Sequence, residues 1–311
     1  MATISQITHL GEPGVLLAAG DLAAIAIPPA GMVIASLRAG GDELLGRADL
    51  LAGWVDGNHT MGIPLLHPWA NRLEGTSYRV GDTTVEMDPA SPLLHRDGNG
   101  LPIHGLLGAS TAWRISGSSA DDERARLEAT LDAADVPGLL EAFPFPHSLA
   151  LLIELTPGTL AISTTLTATG EVAVPIAFGW HPYLQLPRAA RADWTIELPP
   201  MDALELDALQ LPTGVEQPYA GLDQPLGSLT LDDGFAGIAQ GAVLAISAGG
   251  RRVAVSFDEG YPFGQAFAPS NQDVVALEPM TAPANALASG RGLVLAQPGA
   301  SHTARFSLHV T

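Results

Sequence analysis

Short apolar runs separated by turn residues are the dominant pattern of this 311-residue chain, and they limit the folds open to it. Alternate residues from Leu160 to Ala168 share one apolar face, a period of two that is typical of a β-strand. Strands at such close spacing favour a β-sandwich. Similar runs occupy Val15–Leu17, Ala23–Ile27, Met32–Leu37, Ser148–Leu155, Val243–Ser247, Arg252–Phe257, Val274–Leu277 and His302–Val310.

Helical signals are few. The segment Asp42–Trp54 predicts a short helix, because four of its leucines lie partly on one helical face. Asp121–Leu131 has helical propensity, but the alternation of its side chains favours a strand. No internal repeat and no change in composition marks a linker, so we predict a single domain over residues 1–311.

The chain lacks cysteine, and all 14 of its basic residues are arginine. These absences exclude disulfides, thiolate nucleophiles, Schiff-base lysines and a P-loop lysine. The nine histidines show no spacing typical of a metal site, so nothing in the sequence favours a metal, although residues distant in sequence could still form a site. Any chemistry therefore depends on His, Asp, Glu, Arg, Tyr or hydroxyl side chains.

The charge of the chain is strongly acidic, with 33 acidic and 14 basic residues and a net charge of −19. Such a surface repels phosphate backbones and anionic membranes, which argues against both as partners. No apolar run reaches the roughly 18–20 residues of a membrane span, and Met1–Leu10 lacks the pattern of a signal peptide. We therefore expect a cytoplasmic protein. We also expect a monomer or a homodimer.

Two segments combine polar donors with apolar or glycine-containing surroundings. Asn71 and Arg72 follow the apolar, Pro-containing stretch Gly62–Ala70, and together they offer several donors to sugar hydroxyls. His104 precedes Gly105, which permits close approach of backbone to a ligand. From the residues alone, a structural arginine that ties loops together and a structural histidine remain open alternatives.

Two further segments place titratable groups beside apolar strands. His181 lies between Trp180 and Tyr183, whose ring would stack on a sugar and whose hydroxyl would bind one. Glu278 ends the apolar run Val274–Leu277, where a carboxylate is costly unless it is paired or used. Burial raises the pKa of a carboxyl, which suits a general base. A core corner and a strand-end glutamate that faces water are the alternative interpretations.

In these segments the chain resembles the aldose 1-epimerase (galactose mutarotase) family. The stretch from His67 to Tyr78, His-Pro-Trp-Ala-Asn-Arg-Leu-Glu-Gly-Thr-Ser-Tyr, is similar to the family's Pro-Phe-Ala-Asn-Arg-Ile followed by Gly-x-Tyr. Three later family signatures resemble His104-Gly105, Gly179–Tyr183 and Leu277–Pro279, and a weaker similarity covers Leu231–Phe235. Trp69, Leu106 and Leu184 depart from the family pattern, which leaves the sugar preference open.

The resemblance implies an all-β fold, a large β-supersandwich of the galactose mutarotase type with few short helices and no cofactor. It implies Glu278 as the catalytic base and His181 as the catalytic acid. It also implies that Asn71, Arg72, His104 and Asp232 bind the sugar, with Asp232 chosen over Asp233 from the alignment of that segment.

The activity that the resemblance implies is the interconversion of α and β anomers of a free aldohexose such as galactose or glucose. A hexose 6-phosphate is an alternative substrate, but it needs an arginine cluster, and the only adjacent arginines are Arg251 and Arg252. The net charge also disfavours a dianion. A sugar-binding protein without turnover is the alternative from another functional class.

Overall fold

The computed structural model describes residues 1–57 and 59–311. Its strands are, in chain order, β1 (Thr3–His9), β2 (Glu12–Ala19), β3 (Leu22–Ile27), β4 (Val33–Ala39), β5 (Asp42–Glu43), β6 (Leu65–Leu66), β7 (Ser77–Val80), β8 (Thr83–Glu86), β9 (Arg114–Ala120), β10 (Ala125–Asp132), β11 (His147–Thr156), β12 (Thr159–Ala168), β13 (Val174–Ile176), β14 (Gly179–Trp180), β15 (Tyr183–Leu184), β16 (Thr195–Leu198), β17 (Met201–Leu206), β18 (Pro212–Tyr219), β19 (Leu222–Pro225), β20 (Leu231–Ala236), β21 (Ala242–Ala248), β22 (Arg251–Glu259), β23 (Phe263–Ala268), β24 (Val275–Met280), β25 (Val294–Ala296) and β26 (Ser301–Val310).

The helices of the described residues are short. They are α1 (Leu51–Val55), α2 (Leu139–Ala142) and α3 (Ala286–Ser289), with three 3₁₀ turns at Pro28–Ala30, Ala133–Asp135 and Arg191–Asp193. Within residues 1–57 and 59–311, no helix combines the length and apolar character that crossing a membrane requires.

Two large antiparallel sheets form the body of the fold. The nine-stranded sheet has the order β19-β16-β21-β22-β26-β12-β11-β10-β9, and the eight-stranded sheet has the order β18-β17-β20-β23-β24-β14-β6, with β15 attached to β24. One apolar cluster contains side chains from both sheets, for example Ile162 of β12 and Leu277 of β24. The sheets therefore bury their inner faces in a shared core, and the predicted all-β sandwich with few short helices is confirmed.

The hairpin between β11 and β12 shows how the sequence sets this architecture. Buried and less buried residues alternate along both strands, and Leu155 pairs with Leu160 across the turn. Gly158 in that turn has a φ of 75°, in the left-handed region that favours glycine. The period of two and the turn residues thus specify which face is buried and where the chain reverses.

The predicted helix over Asp42–Trp54 is largely wrong, because only its end forms α1. Glu43 lies in β5, and its carboxylate accepts hydrogen bonds from the backbone N–H groups of Leu37 and Leu45. Arg47 has a φ of 59°, which interrupts a right-handed helix. By contrast, the strand predicted within Asp121–Leu131 forms as β10.

Candidate active site

Glu278 lies in the middle of the eight-stranded sheet. Every residue of β24 is buried, and Glu278 is only 2% exposed. On β23, Gln265 lies opposite it in the sheet register. Burial raises the pKa of the Glu278 carboxyl well above its usual value; the charge of Asp232 raises it further, and that of Arg72 opposes the shift.

His181 follows β14 and is brought against Glu278, with its Nε2 atom 3.2 Å from the carboxyl Oε1 atom. Its imidazole stacks on the ring of Tyr183, with 4.1 Å between centroids and 20° between planes. Burial lowers the pKa of His181 well below its usual value, and the charges of His104 and Arg47 lower it further. Burial therefore disfavours the charged form of both members of the pair.

Three buried polar atoms around this pair have no hydrogen-bond partner among the described residues. They are Oε2 of Glu278, Nδ1 of His181 and Nδ1 of His104. Buried polar groups in folded proteins are nearly always paired, so unpaired atoms on neighbouring side chains indicate a place for a polar ligand. The ring of His104 meets that of His181 edge-on, with centroids 5.4 Å apart.

The turn that carries His104 is fixed by a close backbone contact. His104 has a φ of 64°, and a Cβ atom on Gly105 would lie 2.2 Å from the carbonyl oxygen of His67. Only glycine therefore fits at 105. Burial, with the charges of Arg72 and His95, lowers the pKa of His104 to about 3, so this imidazole is neutral at physiological pH.

Arg72, another predicted binding residue, lies near the pair, since its charge lowers the pKa of Glu278. Its Nε atom donates to Asp97 Oδ2 at 2.8 Å, and its Nη2 atom lies 3.8 Å from Asp232 Oδ2. The side-chain oxygen of Asn71 accepts from the backbone N–H of Arg72, and Asn71 has a φ of 55°. The guanidinium therefore lies between two carboxylates, and the Asn71 side chain holds its backbone.

Asp232 rather than Asp233 belongs to this cluster. Successive residues of β20 point to opposite faces, and Asp232 accepts a hydrogen bond of 2.7 Å from Nε2 of Gln265. Asp233 is exposed. The structure thus brings Asn71, Arg72, His104, His181, Asp232 and Glu278 together. Tyr183 stacks on His181, and the Tyr183 hydroxyl is within 2.5 Å of the Thr60 hydroxyl.

Three residues of this site were missed by the sequence analysis. Gln265 is a polar residue in the apolar strand β23, and that contrast was the available signal. Asp97 and Asn285 lie in loops without a distinguishing pattern. The backbone N–H of Asn285, with φ at 64°, donates to the carbonyl of Arg72 at 2.7 Å, which fixes the arginine's loop.

Across residues 1–57 and 59–311, no three His, Cys, Asp or Glu side chains are grouped so that they could hold a metal ion. The site instead offers separate hydrogen-bond donors and acceptors around the Glu278 carboxyl and the His181 imidazole.

Comparison with known proteins gives one family. Residues 14–309 match the family model described as aldose 1-epimerase. An uncharacterized protein of Escherichia coli K12, YihR, is 26% identical over 262 residues, which cover 79% of this chain and 80% of that protein.

Solved structures show the same fold at low identity. A galactose mutarotase-like protein from Clostridium acetobutylicum has a TM-score of 0.86 at 19% identity, covering 100% of this chain and 98% of that one. Galactose 1-epimerase from Lactobacillus acidophilus NCFM has a TM-score of 0.76 at 14% identity, covering 100% and 99%. At these identities the likeness establishes the fold.

Proposed function

This chain belongs to the aldose 1-epimerase family, and from that premise we propose that it interconverts the α and β anomers of an aldohexose with a free anomeric hydroxyl, such as glucose or galactose. The observation that carries the proposal is the contact between Glu278 and His181. Two titratable groups distant in the chain lie 3.2 Å apart, are buried, and each keep one polar atom without a partner among the described residues.

In the proposed mechanism the Glu278 carboxylate takes the proton of the anomeric hydroxyl while the His181 imidazolium protonates the ring oxygen. The bond between the anomeric carbon and the ring oxygen then breaks and leaves an open-chain aldehyde. Rotation about its first carbon–carbon bond exposes the other face, and closure returns both protons with the two roles exchanged. Each general acid or base contributes about 10²–10⁴-fold to such a reaction.

The pair carries one proton in every state of this cycle. Burial favours the proton on Glu278 in the free site, because it raises the pKa of the carboxyl and lowers that of the imidazole. Transfer along the 3.2 Å contact gives the carboxylate and imidazolium that ring opening needs. Arg72, whose charge lowers the pKa of Glu278, favours the carboxylate form.

Polarimetry on fresh α-glucose and α-galactose tests this proposal with Glu278→Gln, which preserves the shape of the side chain. We expect the catalysed rate to fall by at least about 10²-fold, because the amide cannot take a proton. Circular dichroism and the denaturation midpoint serve as the folding control. Near-wild-type mutarotation in a folded Glu278→Gln protein would remove Glu278 from the mechanism.

Calorimetry on the same sugars addresses the alternative of a binding protein without turnover. If the wild-type protein binds glucose or galactose but leaves the rate of their mutarotation at that of buffer, the chain binds these two sugars without turnover, and the proposed activity on them is wrong.

A further inference from the structure

A cavity of about 300 Å³ adjoins the site at His104, and its wall is basic. Its positive charge comes from two arginines, since His104 is neutral at physiological pH, and no aspartate or glutamate is among the described residues that line it. The chain as a whole has 33 acidic and 14 basic residues. The charge of this cavity is therefore opposite to that of the molecule, and a cleft lined by one sign of charge concentrates ligands of the opposite sign.

The two arginines of the wall, Arg47 and Arg96, are not neutralised. Ten of the 14 arginines form ion pairs with carboxylates, and neither of these two is among them within the described part of the chain. Arg47 donates to the side chain of Gln272 and to Thr60, and Arg96 donates to two backbone carbonyls. All these partners are neutral, so both guanidinium charges remain for a ligand.

The cavity and the candidate active site share the side chain of His104. His104 lines the cavity and meets the ring of His181 at 5.4 Å. The guanidinium carbon of Arg47 lies 4.9 Å from the centre of the Tyr183 ring, which in turn stacks on His181. The arginines and the Glu278–His181 pair are thus linked through the side chains of His104 and Tyr183.

We propose that this cavity binds an anionic group on the part of the sugar remote from the anomeric carbon, held by Arg47 and Arg96, so that the substrate is an acidic or phosphorylated aldose. The proposal rests on the proposed function. Phosphate, sulfonate and carboxylate groups share the oxygen geometry that a guanidinium binds with two parallel hydrogen bonds.

This inference revises the expectation of a neutral sugar. That expectation followed from the net charge and from the absence of adjacent arginines other than Arg251 and Arg252. The fold instead brings together two arginines that are distant in sequence. Because interactions at contact distance are screened much less than the field of the whole surface, two unpaired guanidinium groups outweigh the distant negative charges.

The test measures kcat/KM for mutarotation of glucose, glucose 6-phosphate and glucuronate by exchange NMR. The proteins are wild type, Arg47→Gln, Arg96→Gln and the control Arg114→Gln, which removes an exposed arginine from β9 of the other sheet. We expect the wild type to prefer one anionic sugar over glucose. Each cavity variant should lower the ratio of anionic to neutral kcat/KM by about tenfold, and the control should leave it unchanged.

The outcomes separate the two proposals. The anionic substrate is wrong if the wild type has a higher kcat/KM for mutarotation of glucose than for both anionic sugars. It is also wrong if neither cavity variant changes the ratio of anionic to neutral kcat/KM. Both outcomes leave the epimerase activity standing. No acceleration of any sugar overturns the activity, and calorimetric binding of glucose 6-phosphate then tests the cavity alone. Preference for glucose 6-phosphate assigns a phosphate-like group, and preference for glucuronate assigns a carboxylate. If Arg47→Gln does not fold, the exposed Arg96 provides the same test.

Discussion

Two buried pairs of titratable side chains, His67–His147 and His181–Glu278, differ in how completely their polar atoms are hydrogen-bonded. His67 and His147 connect the segment after β6 to β11 of the nine-stranded sheet, with 2.8 Å between their Nε2 atoms. His181 and Glu278 lie 3.2 Å apart on the eight-stranded sheet. Both pairs are buried, and burial lowers the pKa of all three histidines.

The hydrogen bonds of the two pairs differ. His147 donates from Nδ1 to the carbonyl of Phe145 at 2.7 Å, so its neutral ring accepts at Nε2 from His67. Both N–H groups of that pair are thus used, and the unpaired atom is the unprotonated Nδ1 of His67. The His181–Glu278 pair leaves an atom of each member without a partner among the described residues. The His67–His147 pair, with both N–H groups bonded and one acceptor unpaired in the described part of the chain, is typical of a structural contact, whereas unpaired atoms on both members of the His181–Glu278 pair indicate a ligand.

The largest expected effect separates the two pairs by the same substitution. His181→Asn should lower kcat by about 10²–10⁴-fold with a smaller change in KM, because it removes the proposed acid. His147→Asn should lower the free energy of unfolding by about 1–3 kcal/mol, because it leaves the N–H of His67 without an acceptor, while kcat stays near that of wild type. Steady-state kinetics and urea denaturation of both variants measure this. An effect of His181→Asn on KM alone would make His181 a binding residue.

The second prediction concerns the pH dependence of stability. The pKa of Glu278 in the folded state lies above its value of 4.5 in the unfolded chain. At a pH between these two pKa values, the folded state therefore holds a proton that the unfolded state has lost. The contribution of Glu278 to stability therefore falls as the pH rises through that window. Glu278→Gln removes this loss, and its stability relative to wild type should increase as the pH rises above 4.5.

Glu197 provides a control of opposite sign. The hydrogen bonds from Arg252 hold the pKa of Glu197 below 4.5, so its contribution is present above that pH and disappears as the pH falls through the folded pKa. Glu197→Gln should therefore be less stable than wild type at neutral pH, and the difference should shrink in acid. Urea midpoints from about pH 3 to pH 8 measure both variants. A difference between Glu278→Gln and wild type that does not change with pH would mean that the carboxyl of Glu278 is not desolvated.

Much of the fold and part of the site could be predicted from the sequence. Alternation specified strands such as β11 and β12, and polar residues within apolar segments marked His181 and Glu278. Their roles, however, came from resemblance to a family. The leucines of Asp42–Trp54 suited a helix, but the hydrogen bonds of Glu43 with Leu37 and Leu45 determine the structure there.

The remaining part of the site depends on sheet register and loop placement. Gln265 is important because it lies opposite Glu278 and reaches Asp232, and a strand sequence carries no information about which residue of another strand it faces. Arg47 and Arg96 line one cavity together with His104, although the two arginines are far apart in the sequence. Such contacts arise from tertiary packing between segments that no local pattern connects.

The smallest expected effect concerns the aromatic ring behind each pair. Phe143 meets His147 edge-on at 5.6 Å, whereas Tyr183 stacks on His181 at 4.1 Å. The sequence suggested that the Tyr183 hydroxyl binds the sugar, but that hydroxyl lies within 2.5 Å of Thr60. Tyr183→Phe keeps the stacked ring, so kcat/KM should change by no more than about fivefold. Tyr183→Leu, which removes the ring, should reduce kcat more, because the ring fixes the orientation of the imidazole. A tenfold or greater rise in KM for Tyr183→Phe, with Thr60→Val near wild type, would instead show that the hydroxyl contacts the sugar.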